Sequence, residues 1–542
     1  MSQRPGFEGK KLDLVEEASK TFKQEEKRRN YMNANYRLRS NVGKTLIFLV
    51  IYVVMLTVGA SVSLAGDNHH RGSVDFGLTV ERLLKSQSES LFGIEKPLDE
   101  SASPTETPYR TVEQDAEAQV LLARGLEVEY LTRESGNKTD QMAFFPEKAP
   151  THLIVCIEGR REVIGTNPDG TAKYNPSVQR INLLNGEVET ILRGMNRCDG
   201  IRTTPWGTIL ATEETSDGGA YEIMEPLFTT EQTVINRASG EVTDSVLIAK
   251  RTALPTIAWE GLTVLPSGVV IGGDELRPGT DKPDSDGGAI FKFVPDNLFS
   301  GNGDIADLSA SPLTSGVVNA MQISCREASS SRFPQFGQGC EVGQGTWVEV
   351  NAATARADAD ARGATGYYRP EDLHRDLMFS DEDFPGAVRF CWTNTGREKA
   401  YNFAEVMCAV DYEPANPESL VVANRFVEGD PEFNSFDNLA FQPVTGNLYV
   451  IEDHKNGDIF ACLPDGADRD IKSDGCVRTM SVKDSSAEPT GFIFSADGKT
   501  AYLSIQHSND ELMSPYDDYP TDDVLRITGF STVKSAHHMR DR

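Results

Sequence analysis

Beyond about residue 140 the chain is written in short apolar runs, each opened by a glycine turn and closed by acidic or polar residues. PWGTILATEE turns at Gly207, PSGVVIGGDE at Gly268, PGAVRFCWTNT at Gly386, VTGNLYVIEDH at Gly446 and ADGKTAYLSIQH at Gly498. A turn glycine followed by four to eight β-branched or aromatic residues reads as the second strand of a hairpin. The glycines are 61, 118, 60 and 52 residues apart, and 118 is close to twice 59. One further unit is therefore expected near residues 300–350, where GGAIFKFVPD and GTWVEV supply strands and GNGDIADLSASPLTSG interrupts them. Strand-rich repeats of about this length, without helical periodicity, predict an all-β protein. The expected fold is a six-bladed β-propeller with insertions, over residues 141–535, with an insertion around 300–370.

The pattern before the repeats is different. Residues 45–66, TLIFLVIYVVMLTVGASVSLAG, carry no charge and are long enough to cross a bilayer as a helix. Arg28, Arg29, Arg37, Arg39 and Lys44 precede them, which predicts a cytoplasmic basic tail over 1–44 and export of everything that follows. The long leader favours a retained transmembrane anchor, while Ser63 and Ala65 would suit a signal peptidase. Residues 67–140 read as a linker or extension. The propeller is thus expected in the periplasm or extracellular space, tied to the membrane through residues 45–66.

Charge sharpens this picture. The whole chain carries −29 and residues 1–44 carry +5, which leaves −34 for the remainder. Such a body repels nucleic acid and suits multivalent cations. The acids are placed in register. Asp199-Gly200, Glu260-Gly261, Asp437-Asn438 and Glu488-Pro489 begin strands 8 to 10 residues before their turn glycines, and Glu371-Asp372 lies 15 before Gly386. On successive blades these positions converge on the central channel. Glu213-Glu214, Asp274-Glu275 and Glu452-Asp453 end the following strands and could complete the shell. A ring of close carboxylates is untenable without cations between them.

The candidate metal ligands are therefore Cys198, Asp199, Glu213, Glu214, Glu260, Asp274, Glu275, Glu371, Asp437, Asn438, Glu452, Asp453 and Glu488. Their oxygens suit calcium, and a Cys198 thiolate would add iron (Fe3+). Of the eight cysteines, the neighbouring pairs Cys325–Cys340, Cys391–Cys408 and Cys462–Cys476 are expected to close disulfides in an oxidising compartment. Cys156 and Cys198 remain, and two readings are open: they bond to each other, or Cys198 is a metal ligand. No G-x-S-x-G, Walker loop or CxxC is present, which leaves serine-hydrolase, nucleotide-binding and zinc-ribbon readings without support.

The segments RCDGIRTTPWGTILATEE, WEGLTVLPSGVVIGGDE, GGAIFKFVPD, RPED, FDNLAFQPVTGNLYVIED and EPTGFIFSADGKTAYLSIQH, in that order, resemble the PhoX-type alkaline phosphatase family over about residues 150–510. The resemblance implies a six-bladed propeller with an iron–calcium cluster in its channel, acting on a small phosphate-ester substrate. It implies Cys198, Glu213, Glu214, Glu260 and Glu371 as metal ligands and Arg369, of Arg369-Pro370-Glu371, as the catalytic phosphate contact. Asp199 and Arg202 depart from the small residues and glycines of the phosphatase pattern. Two other functions suit the same pattern: a calcium-dependent lactonase-like propeller hydrolase without a thiolate ligand, favoured by a Cys156–Cys198 disulfide, and a non-catalytic propeller that binds a partner of the cell envelope and is stabilised by metals.

Overall fold

The structure, a computed structural model, describes residues 75–105, 110–278, 287–324, 341–464 and 475–532. The apolar segment 45–66 and the expected Cys325–Cys340 bond lie outside the described residues. No helix among the described residues is long and apolar enough to cross a membrane.

The described chain is almost entirely antiparallel sheet. The strands that matter here are β1 (Glu127–Gly136), β2 (Thr139–Phe145), β3 (His152–Ile157), β4 (Cys198–Thr203), β5 (Ile209–Glu213), β6 (Trp259–Val264) and β7 (Val270–Asp274). They are followed by β8 (Pro370–Arg375), β9 (Val388–Asn394), β10 (Phe436–Phe441), β11 (Leu448–Glu452), β12 (Glu488–Phe494), β13 (Thr500–Gln506) and β14 (Thr521–Thr528). β2, β4, β6, β8, β10 and β12 are innermost: each lies against the next, and β12 lies against β2, so they close a ring. Each pairs antiparallel with the strand that follows it. These second strands are near-continuous apolar runs, as in Val270–Asp274 and Leu448–Glu452, where every residue is buried. Each sheet is covered by its neighbours on both faces, so no alternation is required.

The expected six blades are not what the hydrogen bonding forms. Strand 343–350 pairs with both 316–323 and 421–428, which fuses the sheets begun by β6 and β8 into one of nine strands. The other sheets have four, four, five and six strands, with a two-stranded ribbon beside them. The unit expected near 300–350 is also displaced. Ile290–Pro295 and Gly316–Ile323 are the outer strands of the sheet begun by β6, and the extra innermost strand is β2, upstream of the first glycine turn. Its hairpin turns through Phe145-Pro146 in place of a glycine, which hid it.

The described residues of the segment read as an extension, from Asp75 onward, are part of the body. β1 pairs with β14, so a strand from near the start of the repeats completes the final sheet and ties the ring shut. Ahead of it, Leu84, Phe92 and Ile94 are buried with Tyr449 and Phe492.

The Asp-Gly and Glu-Gly pairs have a packing cause. A Cβ on Gly200 would strike the carbonyl oxygen of Glu260, and one on Gly261 would strike the backbone of Asp372 and Leu373. Glycine after the acid lets neighbouring innermost strands approach around the channel.

Candidate metal centre

Every innermost strand breaks register at the same place. The pairing skips between Thr139 and Met142, Cys198 and Ile201, Trp259 and Leu262, Pro370 and Leu373, Phe436 and Leu439, and Thr490 and Ile493. An unpaired residue in a bulge no longer follows the pleat, and its side chain is re-aimed. Five of these bulges hold an acid: Asp140, Asp199, Glu260, Glu371 and Asp437. All five line one cavity of about 520 Å³.

The register supplies a second ring. Cys198 stands opposite Glu213, Trp259 opposite Asp274 and Phe436 opposite Glu452, so the next residues, Glu214, Glu275 and Asp453, follow the strand into the cavity. Glu158 and His507 hold the matching positions after β3 and β13 and also line it. Successive side chains on a strand point to opposite faces. The first acid of each pair accordingly turns away from the cavity and clamps backbone. Glu213 accepts from Asn196 N at 2.8 Å and Gly219 N at 3.1 Å and pairs with Arg237. Asp274 accepts from Ala258 N at 3.0 Å and pairs with Arg356. Glu452 accepts from Asn434 N at 2.9 Å and Asp458 N at 3.0 Å, beside His454.

Two groups of carboxylate oxygens converge in the cavity. One oxygen each from Asp199, Glu214 and Glu260 lie within 4.8 Å of one another, as do one each from Glu260, Glu371 and Asp437. Glu260 belongs to both. Asp199 Oδ1 is buried and has no hydrogen-bond partner. Burial, then the charges of Asp140 and Glu158, raises Asp199 well above the usual carboxylate range. Burial and the Asp199 charge do the same to Glu260, and burial leads at Glu214, Glu371 and Asp437. Asp140 is pushed up to about 7 by burial and Glu158. Ten carboxylates line the cavity against five Lys and Arg. Hard oxygen donors in excess of their counter-charges, one of them orphaned, are a set that could hold a hard cation.

Basic residues share the cavity with these acids. Lys138, Arg197 and Arg369 each stand immediately before an innermost strand, each at positive φ (70°, 57° and 60°), and all three line the cavity. A left-handed backbone at a non-glycine residue costs of order 1–3 kcal/mol and persists where its surroundings impose it. Arg369 meets Glu371 at 2.8 Å, Glu275 at 2.9 Å and Asp453 at 3.4 Å. Arg197 pairs with Glu158 and, at 2.7 Å, with Glu214.

Among the expected ligands, Asp199, Glu214, Glu260, Glu371 and Asp437 are brought together. Glu275 and Asp453 line the same cavity on Arg369, and Glu488 lines it while meeting His507 at 3.0 Å. Others are elsewhere. Cys198 is bonded to Cys156, so the thiolate expectation and the iron it would bring are corrected: its sulfur is committed to a covalent bond in the core. Glu213, Asp274 and Glu452 hold backbone. Asn438 accepts from Thr490 Oγ1 and Gly491 N, both at 2.6 Å, and links two strands. Asp140, Glu158, Lys138, Arg197 and Gln506 were missed. The signal for most of them was a basic residue two before an acid, in Lys138-x-Asp140, Arg197-x-Asp199 and Arg369-x-Glu371. Arg202, a departure from the family pattern, meets Asp372 at 2.9 Å and Gln141 at 3.0 Å and ties β2, β4 and β8 together.

Residues 248–509 match the family model described as alkaline phosphatase PhoX. Over that segment the chain is similar to the PhoX family. The match takes in Glu260, Arg369, Glu371 and Asp437 and begins after Asp199 and Glu214. Among solved structures, the chain is similar to Pseudomonas fluorescens PhoX in complex with vanadate, a transition state analogue, at 16% identity and a TM-score of 0.48, over 81% of this chain and 100% of that one. It is similar to a putative gluconolactonase at 11% identity and 0.38, over 75% and 93%, and to a gluconolactonase from Xanthomonas campestris at 12% and 0.33, over 80% and 99%. No curated protein matches.

Proposed function

We propose that the chain is an exported, hard-cation-dependent hydrolase of small phosphate monoesters. The observation that carries this reading is the pair of carboxylate groups sharing Glu260, in one cavity with Arg369; the group Glu260, Glu371 and Asp437 lies within the segment that matches the PhoX family. Asp199, Glu214, Glu260, Glu371 and Asp437 are the residues that would hold calcium-class ions. Such ions, when bound, polarise a phosphoryl oxygen and offset charge on the leaving group. Iron through Cys198 does not fit these residues and forms no part of the proposal.

The chain's own groups do the rest. Arg369 has a planar fork matched to two phosphoryl oxygens, and its present partners, Glu275, Glu371 and Asp453, hold it over the cavity. Arg197 and Lys138, at the same position on other innermost strands, extend positive charge around the cavity and draw in a dianion that the carboxylates alone would repel. The anchor or signal segment at 45–66 belongs to this proposal, and the three disulfides among the described residues suit an oxidising compartment.

One observation favours a second reading. Without a thiolate ligand, an acid ring holding one calcium ion is also the site of a lactone hydrolase. Assaying the full-length protein with calcium against phenyl phosphate and a γ-lactone in parallel separates the two. Phosphate release supports the proposal; lactone opening alone overturns it, and metal binding without either reaction favours a binding role.

A further inference from the structure

A second cavity of about 230 Å³ adjoins the carboxylate channel and shares Ser216, Leu276 and Arg356 with it as walls. Its character is opposite. Ala289, Phe291, Ala359 and Ala364, all buried, form an apolar floor. Arg356 stands between the two spaces, fixed by a two-pronged pair to Asp274 at 2.6 and 2.7 Å and by Ser216 Oγ at 3.2 Å. The short helix α1 (Ala355–Ala361) brings small side chains to this wall, with Ala357 exposed at the mouth. Larger residues on that face would fill the space.

We propose that this pocket is the leaving-group subsite, binding the uncharged organic part of the ester, of the size of a single substituted aromatic ring. This rests on the phosphomonoester reading above. The shared wall sets the pocket beside the cavity where the phosphoryl group would sit. A cavity of ~150 Å³ suffices for benzene, so this one has room for one ring with a small substituent. The acids Asp274 and Asp360 at its edge disfavour a second negative charge. A ring excluded from water there would contribute to binding in ground and transition state alike, through apolar burial.

The test combines binding and turnover in the full-length protein with calcium present. Phenol alone is titrated against wild type, Ala357→Trp and Thr354→Trp, with saturation-transfer NMR as readout; both substitutions lie at exposed positions that line the cavity. Phenol binding is expected in wild type and is lost from both variants, whose thermal unfolding is measured alongside to confirm folding. In turnover, the ratio of kcat/KM for phenyl phosphate over methyl phosphate falls by about tenfold or more in the variants. Absence of phenol binding in wild type, or equal binding in all three, overturns the subsite. If neither ester is turned over while phenol binding is lost as expected, the subsite stands and the phosphomonoester reading fails.

Discussion

At the scale of single residues, the proposed function turns on where adjacent acids point. In Glu213-Glu214, Asp274-Glu275 and Glu452-Asp453 the first acid secures backbone and the second enters the channel. Arg369 is the residue whose loss should be cleanest to read. Arg369→Ala is expected to lower kcat/KM for an aryl phosphate by about 2–4 kcal/mol of transition-state stabilisation and to weaken inhibition by phosphate, with calcium content unchanged. Steady-state kinetics with elemental analysis check this. The buried acids also give chelated protein a definite pH dependence. Asp140 is raised to about 7 and Asp453 to about 6, first by burial, so the native state holds their protons more tightly than the unfolded chain does. Between roughly pH 4 and 7 the native state then binds more protons, and stability falls as pH rises. Thermal unfolding of chelated protein across that range should show a falling Tm, and added calcium should restore most at the high-pH end.

At the scale of elements, the device is a hairpin whose first strand bulges at an acid. Much of it was legible. Gly207, Gly268, Gly446 and Gly498 all take positive φ, as turns opening a strand require. The acid eight to ten residues earlier was visible because the strand length between turn and channel is nearly constant. What could not be read was orientation: Glu213 and Glu214 look alike in a sequence, and only the pleat and the bulge assign them to opposite faces. Asp140 and Glu158 escaped because the Phe145-Pro146 turn breaks the glycine pattern. The choice between ligand and disulfide for Cys198 stayed open because its partner Cys156 sits on β3, a strand of that unrecognised unit. Replacing Cys156 and Cys198 together by serine should leave calcium binding intact and cost about 4 kcal/mol of stability, the loop-closure value for their 42-residue separation. Loss of bound metal in that variant, seen by elemental analysis, would return Cys198 to the ligand set.

At the scale of the whole molecule, the ring of innermost strands concentrates charge that no strand could tolerate alone. β1 closes the ring by pairing with β14, and the acids on β2, β4, β6, β8 and β10 then face a common space. The fold holds repelling groups together, and bound cations would return stability, about 2.7 kcal/mol at a hundredfold excess over Kd. The most direct measurement of this claim is a calorimetric titration of chelated full-length protein with calcium, wild type beside Glu260→Gln. Because Glu260 belongs to both carboxylate groups, the account predicts saturable calcium binding in wild type and loss of more than one equivalent from the single substitution. Wild-type protein that binds no calcium, or a Glu260→Gln protein that binds the same amount with the same affinity, would contradict it.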